Sequence, residues 1–82
     1  MSDELVTVHN ANWLHHALFV KTVLEGDGIE AFVPDEHTVS ADPALATALG
    51  GIRVMVRASD EARARDVLAA VLKELADTPE QA

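Results

Sequence analysis

Four of the 82 residues are histidines, His9, His15, His16 and His37, the side chains best suited to proton and metal chemistry near neutral pH. Zinc sites draw on cysteine thiolates, on histidine pairs one helical turn apart, or on histidines converging with carboxylates. The chain has no cysteine, which removes thiolate metal sites, disulfides and a cysteine nucleophile together. His15 and His16 are adjacent in sequence, so about 100° of helix rotation would separate them and they do not easily share an ion. Neither has a histidine at i+4; Phe19 and Val20 stand there instead. One metal reading survives. It takes His15 or His16 with His37 and a nearby carboxylate, Asp35 or Glu36, and makes the chain a small metal-binding or metal-sensing protein. Ordinary surface histidines are the commoner outcome, so no metal ligand and no cofactor is assigned.

Catalytic constellations are equally sparse. The hydroxyls Ser2, Thr7, Thr22, Thr38, Ser40, Thr47, Ser59 and Thr78 sit in no nucleophile motif. Ser59 reads as a helix cap, Asp35-Glu36 as a solvated turn, and Asp60-Glu61 as a first helical turn. Gly50-Gly51 is an isolated pair, with no G-x-x-x-x-G-K-[ST] sequence to cradle phosphate. An enzyme is not expected.

Charge narrows the partners further. Fourteen carboxylates against six Lys and Arg give a net charge of −8. Residues 1–51 carry eight of those carboxylates and only Lys21, a net charge of −7. Phosphate backbones and anionic membranes call for clustered cations. The one basic group, Arg53, Arg57, Arg63 and Arg65, is offset by Asp60, Glu61 and Asp66. Neither nucleic acid nor membrane is an expected partner. The longest apolar run, residues 67–72, is far shorter than the ~20 residues that span a bilayer. The acidic start, Met1-Ser2-Asp3-Glu4, lacks the basic and apolar regions of a signal peptide. Apolar residues at 49% with charged residues at 24% suit one small globular domain, expected in the cytoplasm.

The elements that must position these side chains follow from periodicity. Residues 5–9 read as a β-branched strand. A helix over 13–25 follows, capped by Asn10 or Asn12, with Leu14, Ala17, Leu18, Lys21 and Leu24 along one side. Gly26-Asp27-Gly28 ends it, and residues 29–33 form a second strand closed by Pro34. Residues 52–57 alternate strictly, setting Ile52, Val54 and Val56 against Arg53, Met55 and Arg57. A last helix begins at the Ser59 cap and carries Ala64, Val67, Leu68, Val71, Leu72 and Leu75 on one stripe, with a Glu61–Arg65 ion pair. Between the second and third strands, Asp42 caps and Pro43 opens a short helix over 44–49, leaving 35–40 as an exposed polar loop. Trp13 reads as an anchor at the edge of the core.

The order β-α-β-β-α is a ferredoxin-like split unit in an α+β fold. Right-handed crossover places the third strand between the first two, giving a sheet of order 1-3-2 with two helices on one face. Residues 5–76 form this single domain, with loose ends at 1–4 and 77–82. The uncovered face carries Thr7, His9, Glu30, Phe32, Arg53, Met55 and Arg57.

Two segments carry a family resemblance. Leu24-Glu25-Gly26-Asp27-Gly28-Ile29-Glu30-Ala31 resembles an L-E-x-x-G-I-x-A signature, and Gly51-Ile52-Arg53-Val54-Met55-Val56 with Glu61-Ala62-Arg63-Ala64-Arg65 is similar to a G-[IV]-x-[VL]-x-V … E-x-A second half. An Asn ahead of the first helix and Ala17 within it also fit. This is the pattern of a small bacterial domain of unknown function described as prokaryotic signal-transducing proteins, and it spans roughly residues 5–75. The resemblance implies a βαββα fold related to PII-like nitrogen regulators, and it carries no catalytic residues.

Together these readings predict a non-enzymatic regulatory or interaction module that binds a protein partner or a small effector. Its expected contact surfaces are the open sheet face and the 34–42 loop, with Glu30, Phe32, Asp35, Glu36, His37, Arg53, Met55 and Arg57 as candidate site residues. A self-complementary patch and a bare first-strand edge also predict a homodimer.

Overall fold

The computed structural model describes residues 4–48 and 50–77, with side chains through Glu74. Most of both expected loose ends lies outside the described residues. Strand β1 (Leu5–Ala11) leads into helix α1 (Leu14–Gly26), then β2 (Ala31–Phe32), α2 (Glu36–Ala41) and α3 (Leu45–Ala48). Strand β3 (Ile52–Arg57) follows, and a 3₁₀ turn (Ala58–Asp60) feeds α4 (Glu61–Asp77). The sheet has the order β1-β3-β2, with β3 antiparallel to both neighbours. The α+β, ferredoxin-like split topology therefore stands as the sequence predicts.

The alternation in β3 decides which side is core. Ile52, Val54 and Val56 are fully buried, Arg53 is exposed, and Met55 and Arg57 are half-buried. Onto the buried side pack Ala17, Val20 and Leu24 from α1, and Ala64 and Leu68 from α4. Among the described residues, no polar or charged side chain is fully buried. Such a core is held by apolar burial alone, worth about 25 cal/mol per Å² removed from water.

The ends of α1 and α3 are closed by the same device. The amides of Gly28 and Ile29 donate to the carbonyls of Glu25 and Leu24; those of Gly50 and Gly51 donate to Thr47 and Ala46. This double bond pattern requires a left-handed residue after the helix. Gly28 at φ 81° and Gly50 at φ 79° supply it without a Cβ clash. Arg63 of α4 donates to the carbonyl of Asp27 and reaches its carboxylate, which ties the end of α1 to the last helix.

Several local expectations change. Asn10 belongs to β1, and the N-cap of α1 is Trp13, with no side-chain cap bond. Trp13 is 65% exposed and so is no core anchor: as the residue ahead of α1 it stands in extended conformation outside the packed stripe. The second strand shrinks to Ala31–Phe32, although Ile29 and Val33 are buried beside it. Ser59 lies within the 3₁₀ turn rather than immediately before an α-helix. Asp42 does act as read from the sequence, its Oδ1 accepting the amide of Ala44 at 3.2 Å. Residues 35–40, expected as an exposed polar loop, fall almost entirely within α2 (Glu36–Ala41), which buries Val39. One apolar side chain among polar neighbours is enough to seat a short helix against α1 and α3.

Candidate functional site

The open face of the sheet is built from alternate residues of β3. Met55 faces Phe32 across the β2–β3 ladder and Thr7 across the β1–β3 ladder, and all three are half-buried. On either side of this strip stands an arginine held by a carboxylate from another element. Arg53 makes a two-bond fork with Asp35, Nε to Oδ2 at 3.2 Å and Nη2 to Oδ1 at 3.1 Å. Arg57 places Nε at 3.2 Å and Nη2 at 2.7 Å from Oε1 of Glu30, and its guanidinium lies 5.8 Å from the centre of the Phe32 ring. The Arg53 fork holds the Asp35 carboxyl below the ordinary carboxylate range and raises the guanidinium in turn.

Glu30, Phe32, Asp35, Arg53, Met55 and Arg57 are thus brought together on one surface. Glu36 and His37 lie on α2 beyond Asp35. Along the sequence the four arginines are offset by nearby acidic residues, and in the fold Arg65 does pair with Glu61, at 3.0 Å. Arg53, Arg57 and Arg63 pair with Asp35, Glu30 and Asp27 instead. Their partners come from the acidic front half of the chain, so folding draws the charge asymmetry of the sequence into cross-element pairs.

His9 departs from that face. The β1–β3 register shifts between Thr7 and His9: Thr7 stands opposite Met55, but His9 stands opposite Val54. Because side chains alternate, one extra residue inverts every later position. His9 therefore joins Val54 on the helix side, and Asn10, opposite Arg53, takes the open side. There His9 meets His16 of α1, with Nε2 atoms 3.2 Å apart. The ring centres are 5.2 Å apart and the planes differ by 22°, so the rings meet head to head, one Nε2–H donating to the other Nε2. Partial burial, and secondarily the neighbouring His16, lowers the His9 pKa below the usual imidazole value.

Helical spacing does not predict this pair, because its two histidines come from a strand and a helix. A signal for it does exist in the sequence. The core-facing apolar positions of β1 run Val6, Val8, Ala11, and the change from even to odd marks the extra residue. Among the described residues, no three His, Asp or Glu side chains are placed to hold a metal ion; the trio of His37, His15 or His16, and a carboxylate is not assembled.

Around the same corner lie three clefts, each lined by Asn12 and the exposed Trp13. One of about 360 Å³ reaches His9, Asn10 and His16. Another, of about 430 Å³, runs to Ala46, Thr47 and the Gly50-Gly51 turn. The glycines are structural here: Gly51, at φ 117°, is buried with its backbone against Ala11 and Asn10.

Among the described residues, no helix is long and apolar enough to cross a membrane. No curated protein and no solved structure gives a significant match to the chain. A family profile does, across residues 5–71, nearly the whole described fold and both segments that carried the resemblance. The chain belongs to the family described as "Putative prokaryotic signal transducing protein".

Proposed function

We propose that this chain is a cytoplasmic, non-enzymatic regulatory module of PII-like architecture that works as a homodimer and engages a further protein or small effector. The observation behind the reading is the half-buried Phe32–Met55 pair, flanked by the Arg53–Asp35 and Arg57–Glu30 ion pairs. An apolar strip bordered by both signs of charge is self-complementary: a two-fold axis across it sets each arginine near the other copy's carboxylates. The sheet's other face is already filled by α1 and α4. Covering the strip adds burial to a domain whose size limits its own core. The α2 segment beside Asp35 then borders the interface as a small helix, available to a further partner through Glu36 and His37.

Sedimentation equilibrium at micromolar concentration tests this. The expected mass is twice 8.8 kDa, falling to the single-chain mass in Met55→Glu and Phe32→Glu with the far-UV spectrum retained. A single 8.8 kDa species for the parent would refute the dimer. A dimer indifferent to both substitutions would move the interface to the free edge of β1.

A further inference from the structure

Two imidazoles aimed at each other from different elements are a specific arrangement, and a proton is not the only thing they can share. Zinc binds imidazole nitrogen at about 2.0–2.1 Å, so two ligands in a tetrahedral shell sit about 3.3 Å apart. The Nε2 atoms of His9 and His16 are 3.2 Å apart. That separation is set by the fold, through the β1 register shift that turns His9 onto the helix side and the helical position of His16. The donor imidazole must move its proton to Nδ1, and each ring must turn by roughly 35°, for both Nε2 lone pairs to converge on one tetrahedral ion.

We propose that His9 and His16 form a two-imidazole clamp for a single divalent cation of the imidazole-seeking class, Zn²⁺, Ni²⁺ or Cu²⁺. Imidazole ligates in its neutral form, so binding is expected to weaken as pH falls. The remaining coordination positions face the cleft lined by Asn12 and Trp13, where water completes the shell. The ion bridges strand and helix across the turn carrying Trp13, so its binding fixes that turn. The sequence-level alternative of His37 with His15 or His16 places the ion elsewhere, and the present clamp shares only His16 with it. It is also independent of the sheet-face dimer, whose residues lie on the opposite side of β3.

Calorimetric titration of the full chain with Zn²⁺ is expected to show one saturable site per chain with micromolar affinity. Cu²⁺ is expected to quench the fluorescence of Trp13, the sole tryptophan. His9→Gln and His16→Gln should each weaken Zn²⁺ binding by more than about tenfold, the range in which even an outer-shell loss is felt. His15→Gln, His37→Gln and Met55→Glu should leave it unchanged. In the unsubstituted protein, Zn²⁺ should shift the Nε2 resonances of two histidines and spare the other two, a readout that needs no variant to fold. Absence of a saturable site, retention of full affinity in both His9→Gln and His16→Gln, or resonance shifts at His15 or His37 would each overturn the proposal.

Discussion

On the open face, Arg53 meets Asp35 and Arg57 meets Glu30; at the β1–α1 corner, His9 meets His16. Both contacts join side chains from two different elements, the arginine pairs across 18 and 27 residues and the histidines across seven, but their chemistry is opposite. An arginine and a carboxylate are complementary in charge and in donor and acceptor, and their remaining hydrogen-bonding capacity faces solvent. Two imidazoles satisfy each other only while they share one proton, and each keeps a lone pair or a proton to offer. Complementary pairs suit an interface, where they set orientation and reject wrong partners at little energetic stake. A like-with-like pair suits a ligand. Strand β3 separates the two regions, with Met55 on one side and Val54 on the other.

The largest expected effect comes from removing that division. Val54 is fully buried opposite His9, and Val54→Asp places an unpaired carboxylate in an apolar core. The cost is several kcal/mol, comparable with the whole stability of a small domain. Urea denaturation should find the variant unfolded or nearly so. Survival with parental stability would mean the β3 faces are assigned the wrong way round.

A smaller loss is expected at the turn beneath the corner. Gly51→Ala forces a side chain into φ 117° and should cost about 1–3 kcal/mol in thermal or urea melts. The same substitution at Gly26, a helical position with open space around its Cβ, should stabilise by up to about 1 kcal/mol. Equal effects at both sites would show that the Gly51 backbone is not constrained as described.

Acid should separate the two regions by pH window. His9 has a lowered pKa in the folded protein, so the unfolded chain takes up this proton first as pH falls. Its contribution is complete above about 6.5, the ordinary imidazole value, and declines below it until the native histidine also protonates. Asp35 is also lowered, by its Arg53 fork. Its contribution stays intact through that range and is lost only as pH falls below about 3.8. Melting temperature against pH should therefore drop in two stages, with His9→Gln removing the upper decline and Asp35→Asn the lower. A His9→Gln profile identical to the parent's would disconnect the upper stage from this pair.

The smallest effect belongs to the open face. Arg53→Ala should change folding stability by less than about 1 kcal/mol, since the pair is solvent-exposed on the arginine side. A loss of several kcal/mol in a urea melt would show the face to be part of the core rather than an interface.

Much of this molecule was already written in its sequence. Period-two alternation over residues 52–57 assigns the core face of β3, because one residue of slip would bury two arginines. The Schellman-type stop after α1 is legible in Gly28, and the Asp42 turn in its short acceptor side chain, because both act within a few residues of chain. The βαββα order then leaves little freedom in topology, so the sheet order followed. Family membership was legible too, resting on the spacing of Leu24 to Ala31 and of Gly51 to Val56.

Tertiary structure alone decided who meets whom. Along the sequence the arginine group is offset by Asp60, Glu61 and Asp66, whereas the partner of Arg53, Asp35, lies 18 residues away, set beside it by β2–β3 pairing. Residues 36–41 look polar in one dimension, yet Val39 finds an apolar surface supplied by other elements and the segment becomes helix. His9 changed faces because the strand accommodates an extra residue, a choice made by the fit of Val8, Ala11 and β3 rather than by local propensity. Short-range conformational preference is carried by each residue and its neighbours. Side-chain partnership across elements depends on register, and register is fixed only when the whole apolar set is buried at once.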